Sequence, residues 1–250
     1  MTELLSNFTP ISLEEMSCVK LMNRTDTKFV TTMAKLYQLL QMAQDDYYVQ
    51  EIDGVRNLEY DTTYFDTTQF DMYNQHQWNH TNRQKIRFRT YCISGLQFME
   101  VKTKNNHGRT KKKRIAVTDM DLSDAAKCQF VGKHLRYDID TLSPALTNSF
   151  RRLTLVNTAR TERVTIDTEL SFHNERSQAD RQMGALVVIE VKRDGLCPSP
   201  MLGILHQLRI QPHGFSKYCM GSALTNPALR INRFKPKLHD VERLLGGNGG

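Results

Sequence analysis

Paired cysteines are missing from this sequence. Its five cysteines (18, 92, 128, 197 and 219) are scattered over 250 residues, odd in number and without a CxxC spacing. That argues against a disulfide framework and a cysteine-type zinc site, and it fits the reduced thiols of a cytoplasmic setting. No run reaches the roughly 18 apolar residues of a membrane span. The opening MTELLSNFTPISLEEMS has neither the basic nor the apolar region of a signal peptide. The expectation is therefore a cytoplasmic protein with no direct membrane insertion. Internal repeats and low-complexity linkers are absent. The one flexible-looking stretch is the GGNGG at 246–250, which leaves residues 1–245 as an expected single domain.

What is present is charge. Lysine and arginine number 34 against 27 acidic residues, a net charge of +7 and a pI near 9.2. Such a balance suits an anionic partner: nucleic acid, phosphate compounds or a membrane surface. Helix starts are well marked. Ser12 with Glu15 reads as a capping box, and Ser143-Pro144 and Ser199-Pro200 each place a cap before a proline. Ser123 and Ser216 are further caps, Pro236 opens a last helix ending at Gly246-Gly247, and 32–44 carries apolar residues at helical spacing. Strand-like runs fall at 25–30, 57–66, 83–92, 96–104, 110–118, 162–171 and 184–193. The three in the middle are separated by Ile93-Ser94-Gly95 and by Asn105-Asn106-His107-Gly108, the spacing of an antiparallel meander. The class is α+β around an antiparallel sheet.

The strands share an unusual alternation. In 83–91, Arg83, Lys85, Arg87 and Arg89 take one parity, and Ile86 and Phe88 take the other. Glu100, Lys102 and Lys104 oppose Met99 and Val101. Lys112 and Arg114 oppose Ile115 and Val117. Arg163, Thr165, Asp167 and Glu169 alternate with apolar residues, as do Glu190 and Lys192. One such strand is ordinarily a solvated face, but five together are not an ordinary pattern. Like charges aligned across a sheet destabilise it without an anion. An open basic platform and a closed basic tunnel both fit. A nucleic-acid platform would add aromatic rings for base stacking, and only Tyr91 joins the basic face. Interleaved Glu100 and Glu190 would also repel a phosphate backbone unless a divalent metal lay between. Nucleic acid is not the expected partner.

RTDTKFV (24–30), YFDT (64–67), KIRFR (85–89), MEVKTK (99–104), RVTIDTEL (163–170), VIEVK (188–192) and FSKYC (215–219) occur in that order. Together they resemble the VTC domain, the polyphosphate polymerase domain of the vacuolar transporter chaperone. That family lies within the CYTH-like triphosphate tunnel metalloenzymes, and the resemblance covers about residues 10 to 235. It implies an antiparallel β-barrel tunnel with helices packed outside, whose basic lumen holds polyphosphate. It implies transfer of the ATP γ-phosphate to a growing polyphosphate chain with Mn2+ or Mg2+. ATP and inorganic polyphosphate are then the partners, with a separate membrane protein possible. Tripolyphosphatase or nucleoside triphosphatase activity, or non-catalytic polyphosphate binding, are the alternatives on the same scaffold.

Carried over by motif, the phosphate-binding set is Lys28, Lys85, Arg87, Arg89, Lys102, Lys104, Lys112, Arg114, Arg163, Lys192, Ser216 and Lys217. Arg87, Arg89, Lys102, Arg163 and Lys217 are its expected catalytic members, and Glu190 is the expected metal ligand. Lys104 stands where the family has a histidine. The ExExK signature of the wider superfamily is replaced by Arg24-Thr25-Asp26-Thr27-Lys28, a loss that the VTC branch shares. Weaker candidates are His76 and His80, expected on a surface helix or loop without a metal role, and Asp26, a metal ligand or lysine-orienting group. Asp61, Asp66 and Asp71 read as structural, and Cys219 as a buried small residue.

Overall fold

A computed structural model of the chain describes residues 1–17, 19, 24–106 and 109–246. Cys18, His107-Gly108 of the expected turn and 247–250 of the glycine-rich tail lie outside the described residues, as do the side chains of Ser17 and Arg24. The strands are β1 (Thr9–Ile11), β2 (Arg24–Thr32), β3 (Tyr47–Gln50), β4 (Leu58–Thr67), β5 (Arg83–Tyr91), β6 (Leu96–Lys104), β7 (Thr110–Val117), β8 (Leu142–Asn157), β9 (Glu162–His173), β10 (Asp180–Gln182) and β11 (Leu186–Asp194). The helices are α1 (Thr2–Ser6), α2 (Leu13–Ser17), α3 (Met33–Ala43), α4 (Asp71–Gln77), α5 (Ala125–His134), α6 (Pro200–Gln207), α7 (Lys217–Thr225) and α8 (Lys235–Gly246).

The main sheet runs β2-β11-β9-β8-β4-β5-β6-β7, antiparallel throughout. It curls so far that Lys28 on β2 acts on Lys102 on β6 across the interior. Among the described residues β2 and β7 do not pair, so the wall stops short of a closed barrel.

Strand alternation sends the apolar parity outward. Ile86, Phe88, Met99 and Val101 pack beneath α5 with Phe130, Val131 and Leu135. Leu153, Leu155, Val164, Ile166, Val187, Ile189 and Val191 pack beneath α3 and α6, against Leu36, Leu39, Leu40, Met201 and Leu205. Burying such side chains is worth about 1.5–3 kcal/mol each, and it forces the charged parity to the concave side. At one end of that concavity, here called the foot, the inward residues turn apolar. Tyr64, Leu146, Leu170 and Phe172 meet Tyr218 and Met220 of α7 and Leu238 and Val241 of α8. A Cβ at Gly221 would lie 2.5 Å from the Phe172 ring and 2.7 Å from Leu146, so α7 needs glycine there to seat itself.

The local signals mostly hold. Ser12 and Glu15 cap each other reciprocally at 3.0 and 3.2 Å. Ser199 caps α6 through Leu202 N, with Pro200 in its first turn, and Ser216 caps α7 through Cys219 N. Two expectations are corrected. The cap of α5 is Asp124, whose carboxylate accepts from Ala126 N and Lys127 N, while Ser123 bonds Asp121 instead. Ser143-Pro144 opens no helix: it begins β8, the longest strand at 16 residues. Proline is tolerated because it sits at the strand's edge. The β8–β9 pairing starts only at Thr147, and the β4–β8 register shifts between Tyr64 and Phe65, beside Pro144.

Candidate phosphate-binding lumen

The concave face gathers most of the nominated residues. β5 contributes Lys85, Arg87 and Arg89, and β6 contributes Glu100 and Lys102 in register with them, Arg87 opposite Glu100 and Lys85 opposite Lys102. β7 sets Lys112 opposite Lys102 and Arg114 opposite Glu100. From the other wall, Glu190 and Lys192 of β11 lie between Lys28 of β2 and Thr165 and Arg163 of β9. The first turn of α7 brings Ser216 and Lys217 in from the foot. There Lys85 Nζ donates to Ser216 Oγ at 2.7 Å, and Lys217 pairs with Asp167. Two nominated residues stand apart. Arg114 is exposed and packs its guanidinium over Phe98, 4.5 Å from the ring centroid. Lys104 sits at the strand end opposite Arg83.

Burial and pairing set the electrostatics. Glu100 is 1 % exposed and receives Arg87 Nε at 2.8 Å, Arg87 Nη2 at 2.6 Å and Lys112 Nζ at 2.9 Å. Desolvation pushes its carboxyl up, but Arg87, Arg89 and Lys112 outweigh that and bring it down to about 2. Arg89, 6 % exposed, is brought down to about 10 by desolvation and by its neighbours Arg87 and Arg152. It lies 5.7 Å from the centroids of both the Tyr60 and Phe150 rings. Lys102 falls to about 8 through desolvation and the nearby Lys28, although its side chain reaches solvent. Lys192 falls to about 8 through desolvation, against the pull of Glu190. Lys217 falls to about 7 through desolvation, in spite of Asp167. These lysines are short of compensating charge.

Sequence reasoning missed Arg152. It forks onto Asp167, Nε to Oδ1 at 2.6 Å and Nη2 to Oδ2 at 2.8 Å, and Lys217 joins the same carboxylate. Desolvation opposes ionisation of Asp167, but Arg152 and Lys217 hold it well below the usual carboxylate range. The signal was available in Arg152-Leu153-Thr154-Leu155, which alternates as a strand does. The helix expected from Pro144 hid it. Tyr64 was missed too; its hydroxyl accepts from Arg87 Nη1 at 3.4 Å.

The lumen offers a cation little by itself. Among the described residues no group of three or more His, Cys, Asp or Glu side chains could hold a metal. Glu100 and Asp167 are spoken for by arginine forks. Glu190 differs, because the ion pairs described for it are with lysines, Lys28 at 3.2 Å and Lys192 in close contact. It fits a divalent ion that arrives already coordinated by phosphate oxygens and needs one carboxylate.

The weaker candidates fall elsewhere. Asp66 is buried and accepts from Thr67 N, Met72 N and Tyr73 N, holding the start of α4, and from the Tyr218 hydroxyl. Asp71 binds the Thr67 hydroxyl. Asp61 binds Ser149 on the convex face, in a cavity of about 380 Å³ lined by Thr63, Thr90 and Thr147. Asp26 pairs in register with Lys192 at the rim. His80 bonds Gln75. His76 is not a surface residue: it is half-buried, with Nδ1 2.9 Å from Cys219 Sγ, and Cys219 is fully buried.

Comparison with known proteins gives a consistent result. The VTC domain family profile matches residues 23–226. A proposed adenylate cyclase from Bacillus halodurans superposes with a TM-score of 0.50 at 13 % identity, covering 85 % of this chain and 99 % of that one. A proposed adenylyl cyclase from Hippeastrum, described as having a dominant triphosphatase activity, gives a TM-score of 0.49 at 14 % identity over 84 % of this chain and 99 % of its own. Another proposed adenylate cyclase, from Vibrio parahaemolyticus, gives 0.48 at 12 % identity over 80 % and 99 %. No protein of curated function matches the sequence. The fold is thus that of the CYTH-like triphosphate tunnel proteins.

Proposed function

The chain belongs to the VTC domain family, and we propose that it transfers the γ-phosphate of ATP to the end of an inorganic polyphosphate chain held in the lumen. The observation that carries this reading is the excess of converging cations. Among the described residues, Lys28, Lys85, Arg87, Arg89, Lys102, Lys112, Arg152, Lys192 and Lys217 converge on the carboxylates Glu100, Asp167 and Glu190, with Asp26 at the rim. Three of these lysines are depressed to between about 7 and about 8. Entry of a polyanion relieves that cost, and few other ligands could.

Phosphoryl transfer rests on positioning and charge neutralisation. A terminal oxygen of the chain forms a bond to the γ-phosphorus. The bond from that phosphorus to the β,γ-bridging oxygen breaks, and its electron pair leaves on ADP. The nucleophile is already anionic, so no general base is required. Arg87, Arg89 and Arg163 present planar forks to phosphate oxygens, while Lys102 and Lys217 supply point charges. Glu100 and Asp167 orient Arg87 and Arg152 beforehand, so little rearrangement accompanies charge build-up. Glu190 would hold a Mn2+ or Mg2+ ion arriving with the nucleotide, which when bound neutralises charge on the bridging oxygens. Among the described residues no helix is long and apolar enough to cross a membrane. We propose a cytoplasmic location, with a separate membrane partner possible.

The test is incubation of purified protein with ATP and manganese. Long-chain polyphosphate is the expected product. Free phosphate would make the protein a triphosphatase with water as acceptor. Unchanged ATP with retained polyphosphate would make it a binding module.

A further inference from the structure

Beneath the lumen, the foot holds a second group of cations. His76 on α4 and Cys219 on α7 touch there, Nδ1 to Sγ 2.9 Å. Four cations act electrostatically on His76: Lys85, Arg83, Lys237 and Arg233. Lys85 Nζ lies 3.6 Å from Cys219 Sγ. Lys237 reaches in from α8 and rests its ammonium against Gly214, where a Cβ would lie 2.8 Å from the nitrogen. Arg233, in the turn before α8, donates to Asn79 Oδ1 at 2.6 Å, and Arg83 donates to the His80 carbonyl at 2.8 Å.

This group differs from the lumen in one respect. Each cluster in the lumen contains a carboxylate: Glu190, Glu100 or Asp167. Among the described residues, Arg83, Lys85, Arg233 and Lys237 form no ion pair with any carboxylate. Desolvation lowers both Arg83 and Lys237, with Arg233 adding to it against the opposing pull of Cys219, and His76 is held neutral, down to about 2, first by desolvation and then by these cations. Gathering like charges without a counter-charge costs free energy, which an anion between them returns. The anion would also lie beside the capped N-terminus of α7, where Ser216 already receives Lys85. Lys85 is shared: across β5–β6 it faces Lys102, so the two groups are continuous. Arg233 and Lys237 lie beyond the matched family region, 23–226.

We infer that the foot is a second anion-binding site, built by Arg83, Lys85, Arg233 and Lys237, which takes the far phosphates of a condensed-phosphate chain whose reacting end lies in the lumen. This inference rests on the lumen reading above. It commits to a linear oligophosphate because the two sites share Lys85 and only a repeating anion engages both. Arginine forks with an adjacent ammonium suit successive phosphoryl groups.

The single tryptophan, Trp78, makes the site readable. It is 54 % exposed and lies next to Asn79 and near His80, the two residues that hold Arg233 and Arg83. The full chain is titrated with inorganic tripolyphosphate and with long-chain polyphosphate, following Trp78 emission and calorimetric affinity. The wild type should change its emission with the long chain. The double variant Arg233→Gln/Lys237→Gln should lose that change and bind the long chain about tenfold more weakly, as expected for losing charge-assisted contacts. Its tripolyphosphate affinity should stay within about twofold, because that short anion fits the lumen alone. Its melting temperature without ligand should hold or rise, since a repulsive cluster is thinned. An unchanged long-chain affinity in the double variant would overturn the inference, as would a wild-type emission that long-chain polyphosphate leaves unaltered. Arg87→Ala separates the two readings. If it leaves tripolyphosphate affinity intact, the lumen assignment fails, whereas an intact Trp78 response in that variant keeps the foot as an independent site.

Discussion

Glu100 and Glu190 are both glutamates of the same concavity, each facing cations from its own wall, yet their surroundings differ. Glu100 is 1 % exposed and gripped by a two-nitrogen fork from Arg87 plus Lys112. Glu190 is 17 % exposed and pairs with the ammonium groups of Lys28 and Lys192. A guanidinium fork fixes a carboxylate in direction and distance, while ammonium groups on flexible stems are point charges that can swing away. Glu100 is therefore a brace that aims Arg87. On the proposed reading, Glu190 is the carboxylate whose lysine partners would give way to a metal ion and phosphate. Partner chemistry, more than burial or strand position, separates the two roles.

The sharpest way to break this contrast is Glu190→Gln. Turnover with ATP and manganese should fall at least roughly 100-fold, on the scale of losing one electrostatic element of a reacting site. Polyphosphate affinity should hold or tighten, because a negative charge facing phosphates is gone. Wild-type turnover in this variant would remove Glu190 from the metal role. Glu100→Ala should fail in the opposite way, through stability. It strands Arg87 and weakens the tie to Lys112, and removing one partner of a buried pair costs about 3–5 kcal/mol. A large drop in melting temperature, partly recovered by added polyphosphate, is the expected result. If the melting temperature holds, Glu100 is no brace.

The same contrast explains what the sequence made legible. Alternation is a period-two signal written in residue type, so β5, β6, β9 and β11 could be assigned with their faces, and the concave set followed. Order and spacing of seven short motifs then identified the family. Partner choice was not legible, because Arg87 meets Glu100 only through the β5–β6 register, and Lys217 meets Asp167 only once α7 is seated in the concavity. β8 was lost for a local reason. Ser143-Pro144 has the chemistry of a helix start, and it takes the late start of the β8–β9 pairing and the register shift beside Phe65 to make that proline harmless in a strand. Arg152 disappeared with it. The foot was hidden because its cations come from β5, the turn before α8 and α8 itself, three segments that no periodicity connects.

A smaller effect tests the fork from its other end. Arg87→Ala should weaken polyphosphate binding and turnover together, by about 2 kcal/mol or roughly 30-fold, the loss of a charge-assisted bidentate contact. It should also lower stability by less than Glu100→Ala does, because Lys112 still neutralises the carboxylate left behind. If binding weakens while turnover of bound substrate is unchanged, Arg87 serves as a grip alone.

The smallest expected effect is a pH slope, and it comes from Lys217. Desolvation takes this lysine from an ordinary value near 10.5 to about 7 in the unliganded fold. The folded value is below the unfolded one, so the charged form is a cost to folding below about pH 7. That cost disappears as pH rises toward 10.5, and on this account stability increases over that window. Binding has the opposite sign. A phosphate beside Lys217 favours the ammonium, so binding at pH 8 takes up a proton, and affinity falls as pH rises from about 7. One such group contributes at most about a tenfold loss per pH unit. Lys102, held to about 8, adds to the slope, and working above about pH 7.5 keeps titration of phosphate itself out of the window. Lys217→Arg supplies a group that stays charged throughout. Its polyphosphate affinity should show a shallower decline between pH 7.5 and 9, with less proton uptake when the same titration is repeated in buffers of different ionisation enthalpy. An identical slope and proton uptake in the wild type and Lys217→Arg would mean that Lys217 is already charged before the anion arrives, and that Asp167, not the phosphate, is what its charge answers to.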